Sequence, residues 1–240
     1  MVDQDLLAES GVLLVDKPAD WTSHDVVNCV RRRFRLKKAG HCGTLDPMAT
    51  GLLVLVLGKA TKLASRLSGQ DKTYSGTMRF GVCTSTQDRE GEVTAAADPG
   101  DLNETRVREV FAAFEGEQLQ IPPMVSAVKH NGKPLYKLAR KGIEVEREPR
   151  PVTVHKLELL ELRPPDADFL LECSKGTYVR TLCADIGDRL GCGAHLYNLR
   201  RIRSGRFDVD RSHGMDEIKA WERPELLANM MPLHDVLTFL

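Results

Sequence analysis

Residues 40–57 read GHCGTLDPMATGLLVLVL. The second half, Leu52–Leu57, is a short unbroken apolar run between Gly51 and Gly58, the pattern of a buried strand. The first half is a turn punctuated by glycine, with one carboxylate, Asp46, set between Leu45 and Pro47. Gly43 and Gly51 allow close backbone approach and Pro47 stiffens the turn. Taken alone, an Asp before Pro is a turn-former whose side chain caps backbone amides.

On either side, local signals predict the rest of the fold. GVLLV (11–15) reads as a strand stopped by Asp16-Lys17-Pro18. Thr22 or Ser23 caps a helix with Val26, Val27, Val30 and Phe34 on one face and RRRFRLKK (31–38) at its basic C-terminal end. A short helix is expected from Thr61 to about Leu67, and a strand from Thr73 to Phe80 with Tyr74, Met78 and Phe80 on one side. GVCTSTQDREG reads as its turn, and Val107, Val110, Phe111 and Phe114 mark an acidic helix ending near Gly116. Residues 120–151 hold five of the twelve prolines and few large apolar residues, the composition of a projecting insertion. Two alternating strands, VTVHKLELLEL and FLLECS, follow, joined by RPPDAD. A helix from about Thr177 to Leu190 then stops at Gly191; a strand around LRRIRSGRF and two short C-terminal helices (about 215–240) complete the reading. The fold class is α+β with a mixed, largely antiparallel sheet, and residues 1–240 are expected to form one domain with an insertion.

Composition narrows function. A charged fraction of 28% and a hydrophobic fraction of 42% are those of a folded globular chain. No uncharged apolar stretch approaches the roughly 20 residues of a membrane span. Asp3, Asp5 and Glu9 stand where a signal peptide needs basic residues, so the expected location is the cytoplasm. Six cysteines without a CxxC pair argue for reduced thiols and against a zinc site. The formal net charge is +0, yet the cations cluster at 31–38, 129–150 and 200–206 while acids gather from Asp88 to Glu117. One basic face on a neutral chain suits a nucleic-acid partner. A GxSxG elbow, a P-loop, a GxGxxG fingerprint and a HExxH helix are absent, and no second carboxylate is forced by spacing to meet Asp46.

Five ordered blocks then resemble the TruB family of tRNA pseudouridine synthases: GVLLVDKPADWTSHDVV, GHCGTLDPMATGLLVLVLGKATK, DKTYSGTMRFGVCTSTQDREG, IPPMVSAVKHNGKPLYKLARKGIEVEREPRPV and CSKGTYVRTLCADIGDRLGCGAHLYNLRRIRSG. The resemblance implies the pseudouridine synthase catalytic fold and isomerisation of uridine to pseudouridine at position 55, in the T arm of tRNA, by a cytoplasmic monomer. The family's essential aspartate in GTLDP falls on Asp46, the tyrosine of its K-x-Y motif on Tyr74, and the arginine of KGTYVR, which pairs with the aspartate, on Arg180. The family's histidine of the GH-x-G segment, which enters the gap left by the flipped base, falls on His41, and Asp88 resembles a family residue that helps hold the flipped nucleotide. Lys17, Lys62, Lys129, Arg140 and Arg200 are the expected RNA contacts, and residues 122–150 match a thumb loop that closes on the T arm.

Base flipping asks for a stacking aromatic and a gap-filling side chain, and glycosidic cleavage for an ionised carboxylate held by a cation. Whether Asp46 attacks C1′, attacks C6 or removes a ribose proton stays open, and Tyr74 can also take the C5 proton. No metal or organic cofactor is called for, since bonds break and form within one nucleotide. Other readings are a tRNA-binding factor without catalysis and a one-carboxylate glycosidase releasing uracil. The joint presence of Asp46, Tyr74 and Arg180 favours the enzyme. Departures from the pattern are Asp20 for Gly, Cys42 for Thr and Val125 for an aromatic residue. Many members continue into a PUA domain, which this sequence does not complete; a short member or a truncated chain is expected to bind tRNA more weakly.

Overall fold

A computed structural model describes residues 10–126 and 128–238, without the side chains of residues 129 and 130. Along the chain run β1 (Gly11–Lys17), α1 (Ser23–Arg33), β2 (Ala39–His41), β3 (Thr50–Leu57), a 3-10 turn (Gly58–Leu63), α2 (Ala64–Ser68), β4 (Lys72–Phe80), β5 (Val82–Thr84) and β6 (Val93–Ala96). Next come α3 (Glu104–Ala113), β7 (Gly116–Gln120), β8 (Lys129–His130), β9 (Lys133–Pro134), α4 (Leu135–Ala139), β10 (Arg150–Arg163), β11 (Asp166–Cys173) and α5 (Val179–Leu190). The last stretch holds β12 (Ala194–Ser204), β13 (Phe207–Asp208), β14 (His213–Gly214), α6 (Met215–Ala220), α7 (Arg223–Asn229), β15 (Met231–Pro232) and α8 (Leu233–Leu237). Among the described residues no helix is long and apolar enough to cross a membrane.

The chain gathers into two compact units, one running to Tyr74 and resuming at Arg200, the other Ser75–Leu199. In the first, the strand order is β14–β1–β3–β12. β1 and β3 pair antiparallel from Gly11↔Leu57 to Lys17↔Gly51. β12 joins β3 in parallel through Arg200↔Thr50 and Arg201↔Gly51. The continuous apolar run of β3 follows from cover on both faces. Leu13, Val15, Leu53, Leu55 and Leu57 pack with Val26, Val27 and Val30 of α1, with Phe34 just after it and with Met215, Ile218 and Trp221. On the other face Val12, Leu14, Leu52, Val54 and Val56 meet Cys42, Ala60, Leu67, Phe207 and Val236. Thr22 caps α1 in a reciprocal capping box with Asp25.

In the second unit the order is β4–β11–β10–β7, antiparallel between β10 and β11 and between β10 and β7. β11 alternates buried and half-buried positions, so one face is core, and α3 packs on β10 and α5. The strands of the β10–β11 hairpin reach Arg163 and begin again at Asp166, leaving only two residues of the expected RPPDAD link as the turn. The expected turn after β4 contains β5, which pairs with β6 just beyond it, and β6 is exposed along its whole length, so no apolar alternation announces it. The insertion carries the β8–β9 hairpin and α4, with Leu135 buried as its anchor. Among the described residues, three short C-terminal helices stand where two were expected.

Asp185, half-buried on α5, has its carboxyl pushed up to about 6 from the ordinary 3.8, by burial first and by the charge of Asp188 second. A carboxyl whose folded value lies above its unfolded one favours the folded state only in the protonated form. Its ionisation therefore costs stability as pH rises from about 4 to about 6, and the cost persists above that window. Asp185→Asn is expected to stabilise the protein by about 1 kcal/mol at pH 7.5, after allowing for solvent screening of a half-exposed group. The gain should shrink towards pH 4. Thermal unfolding of both proteins at pH 7.5 and 4.5 checks this, and an equal shift at both values would contradict it.

Candidate active site

Three buried side chains from separate elements of the first unit grip the turn that presents Asp46. At the start of α1, the Leu45 amide donates to Ser23 Oγ (2.8 Å) and the Ser23 hydroxyl donates to the Leu45 carbonyl (3.1 Å). At the end of β1, the Lys17 Nζ is fully buried and donates to the carbonyls of Pro18 (2.8 Å), Trp21 (2.6 Å) and Pro47 (3.0 Å). On β12, Arg201 is 1% exposed; its Nε donates to the Leu52 carbonyl (2.7 Å) and Nη2 to that of Gly43 (3.1 Å). The Asp20 amide also donates to Pro47 O (2.9 Å), with Asp20 itself in the left-handed region at φ 64°, which accounts for the family's glycine at that position.

Gly51 is required where the turn enters β3. Its φ is +95°, and a Cβ there would lie 2.3 Å from the Arg201 carbonyl oxygen. Leu45 and Met48 are buried, while Asp46 is half-buried and Pro47 exposed between them. The Ala49 amide closes the turn onto the Asp46 carbonyl (3.1 Å). Held at both ends and beneath, the turn offers its one carboxylate from a fixed backbone, the preorganisation that a reacting group needs.

His41, at the end of β2, is half-buried, and its Nδ1 has no hydrogen-bond partner among the described residues. Burial, then the charge of Arg201, holds its pKa below the usual 6.5, so the ring is neutral at neutral pH. Cys42, where the family has Thr, is fully buried, and its thiol is pushed up to about 11 by burial. Tyr74 sits in β4 and is 8% exposed.

In the second unit, Arg180 near the start of α5 is 3% exposed. Its Nη1 donates to the Thr86 carbonyl (2.9 Å), Nη2 to the Val125 carbonyl in the insertion (2.7 Å), and Nε lies 3.6 Å from the Asp88 carboxylate. Asp88 is 4% exposed and also accepts from the Thr86 hydroxyl and the Glu90 amide (3.0 Å). One guanidinium thus ties the β5–β6 turn, a buried carboxylate and the base of the insertion.

The expected RNA contacts divide. Lys62 and Arg140 are exposed, the latter with its guanidinium 5.5 Å from the Tyr136 ring. Lys129 lies in β8, and its side chain is outside the described residues. Arg200 forms a two-pronged pair with Asp16 (2.9 and 2.7 Å). Lys17 is corrected outright: its ammonium is a buried post under the turn rather than a phosphate ligand, because three backbone carbonyls replace the water it gave up. Asp88, expected to help hold the flipped nucleotide, is buried with its carboxylate beside Arg180.

The sequence offers Ser23 only as a candidate helix cap and does not single out Arg201, although Arg201 shares the inward parity of Leu199 along β12 and so stands on an apolar face. Arg201→Met would leave two carbonyls unpaired, and the expected loss is about 2–4 kcal/mol. Arg201→Lys should recover only part of it, since a single ammonium cannot reproduce the fork. Thermal unfolding measures both, and a Met variant as stable as the parent would remove Arg201 from this role.

Comparison with known proteins places these elements. The model of the TruB family pseudouridylate synthase N-terminal domain matches residues 31–179, and that of the tRNA pseudouridylate synthase B C-terminal domain matches 180–238. The tRNA pseudouridine synthase B of Opitutus terrae is 50% identical over 224 residues, covering 93% of each chain. That of Syntrophotalea carbinolica is 50% identical over 224 residues, covering 92% of this chain and 73% of its own. Among solved structures, a chain in a Cbf5-Nop10-Gar1 complex superposes with a TM-score of 0.76 at 30% identity, over 96% of this chain and 62% of that one. With half of the residues shared along nearly the whole sequence, and with GTLDP and KGTYVR among its motifs, the chain belongs to the TruB family of pseudouridylate synthases.

Proposed function

We propose that this pseudouridine synthase acts on tRNA and isomerises the uridine at position 55 of the T arm. The observation that carries the reading is the clamped turn, which presents a single carboxylate, Asp46, from a backbone fixed by Ser23, Lys17 and Arg201. The N1–C1′ bond breaks, the uracil turns within the site, and C5 bonds to C1′; the C5 proton then leaves to base and N1 carries a proton in the product. Nothing is oxidised, and no atom is gained or lost overall. Asp46 is the carboxylate for the cleavage, Arg180 the cation that the chemistry asks for, and Tyr74 the aromatic group for the flipped uracil and a base for the C5 proton. A neutral His41 suits stacking in the gap left by the flipped base. Lys62, Lys129, Arg140 and Arg200 meet phosphates, with Arg200 held in place by Asp16, and residues 122–150 close on the T arm.

The test is direct. The protein is incubated with a tRNA transcript carrying tritium at uracil C5, and release to water is followed together with nucleoside analysis. Release of one tritium per tRNA with pseudouridine at position 55 is expected. Binding without release would support a binding factor, and free uracil would indicate a hydrolase.

A further inference from the structure

Helix α1 ends in an unusual way. The Leu36 amide donates to the Arg31 carbonyl (2.9 Å) and the Arg35 amide to that of Arg32 (3.3 Å), the two bonds of a Schellman turn. The left-handed position of that turn, normally glycine, is occupied by Arg35 at φ 52°. Phe34 and Leu36 on either side are buried in the core, so the turn's orientation is set and its other side chains point out. Arg31, Arg32, Arg35, Lys37 and Lys38 are all exposed. Arg33 is engaged by Glu222 (2.8 Å) and the Lys219 carbonyl (2.9 Å). Among the described residues no ion pair takes the other five.

Helix-end electrostatics does not account for this cluster. A cation near helix C-terminal carbonyls is favoured, but Lys37 and Lys38 lie beyond the helix, and Arg223 already donates to the Phe34 carbonyl (3.4 Å). Stability alone would place glycine at 35. A strained backbone that keeps a cation in place is a mark of function.

We propose that the turn Arg31–Lys38 is an anchor for RNA phosphates, separate from the turn that presents Asp46; this rests on the tRNA reading above. Its exposed side chains are all cationic, and it offers none of the exposed apolar side chains that a protein partner would bury. Ser23, at the other end of the 11-residue helix, holds Leu45, so the anchor stands about 16 Å along α1 from the Asp46 turn. It therefore meets the RNA backbone away from the reacting nucleotide.

Two variants test it through opposed readouts. Arg35→Gly relieves the left-handed strain, so the Tm should rise while the Kd for a tRNA transcript weakens about threefold and the slope of log K against log salt flattens by about 0.7–0.9. The triple variant R35Q/K37Q/K38Q should weaken binding at least about tenfold at 0.1 M salt and flatten the slope by roughly 2–3. A raised Tm with unchanged Kd and slope overturns the anchor and leaves a solvated surface. Loss of poly-glutamate binding with tRNA binding intact also overturns it, in favour of an acidic protein partner. Failure of the wild type to bind tRNA overturns both this proposal and the reading on which it rests.

Discussion

Replacing Asp46 by Asn is expected to reduce tritium release from tRNA by on the order of 10⁴-fold or more, the scale seen when a group acting at the reacting centre is lost. The side chain keeps its shape but not its charge. The turn is also held through backbone atoms: the Ala49 amide binds the backbone carbonyl of residue 46, and Ser23, Lys17 and Arg201 hold Leu45, Pro47, Gly43 and Leu52. The Tm should therefore move by no more than the equivalent of about 1 kcal/mol, and tRNA affinity should stay within a few-fold. Release by Asp46→Asn within tenfold of the wild type would remove Asp46 from the chemistry. A large fall in Tm would instead assign it the capping role of an ordinary Asp-Pro turn.

How much of this is legible in the sequence differs from residue to residue. Leu52–Leu57 and the Thr22 cap announce β3 and α1, because apolar runs and caps are local signals. Asp46 was legible as a residue but not as a site, since its grip comes from Ser23, Lys17 and Arg201, and no period in the sequence states which carbonyl a buried cation will meet. Lys17 shows the cost of that gap: a lysine near a basic helix reads as a phosphate ligand until its ammonium proves to be 0% exposed. Asp88 shows a contact that spacing does not state. Its aspartate stands in an acidic, turn-like segment, and only the fold of the second unit brings it to Arg180. Arg35 was legible as charge but not as conformation, because a Schellman turn with arginine at the glycine position contradicts the local preference.

Arg180 carries the second large effect. Removing it as Met leaves the Asp88 carboxylate, 6% exposed at its side chain, without its cation, and frees the carbonyls of Thr86 and Val125. Breaking a buried pair from one side costs about 3–5 kcal/mol, which for a chain of this size lowers the Tm by roughly 6–20 °C. Activity should fall by about 10³-fold or more if Arg180 is also the cation of the reaction. Arg180→Lys separates the two parts: it keeps the charge but not three directed donors, so it should recover activity less well than stability. Asp88→Asn, which keeps Arg180 but removes its carboxylate partner, should lower activity less than Arg180→Met does. The double variant D88N/R180M should be less destabilised than the two single losses summed, because the second substitution removes the charge that the first left stranded. Additive losses of stability in this cycle would mean that Asp88 and Arg180 act separately, with the guanidinium held at the start of α5 by contacts other than Asp88, the Thr86 and Val125 carbonyls among them.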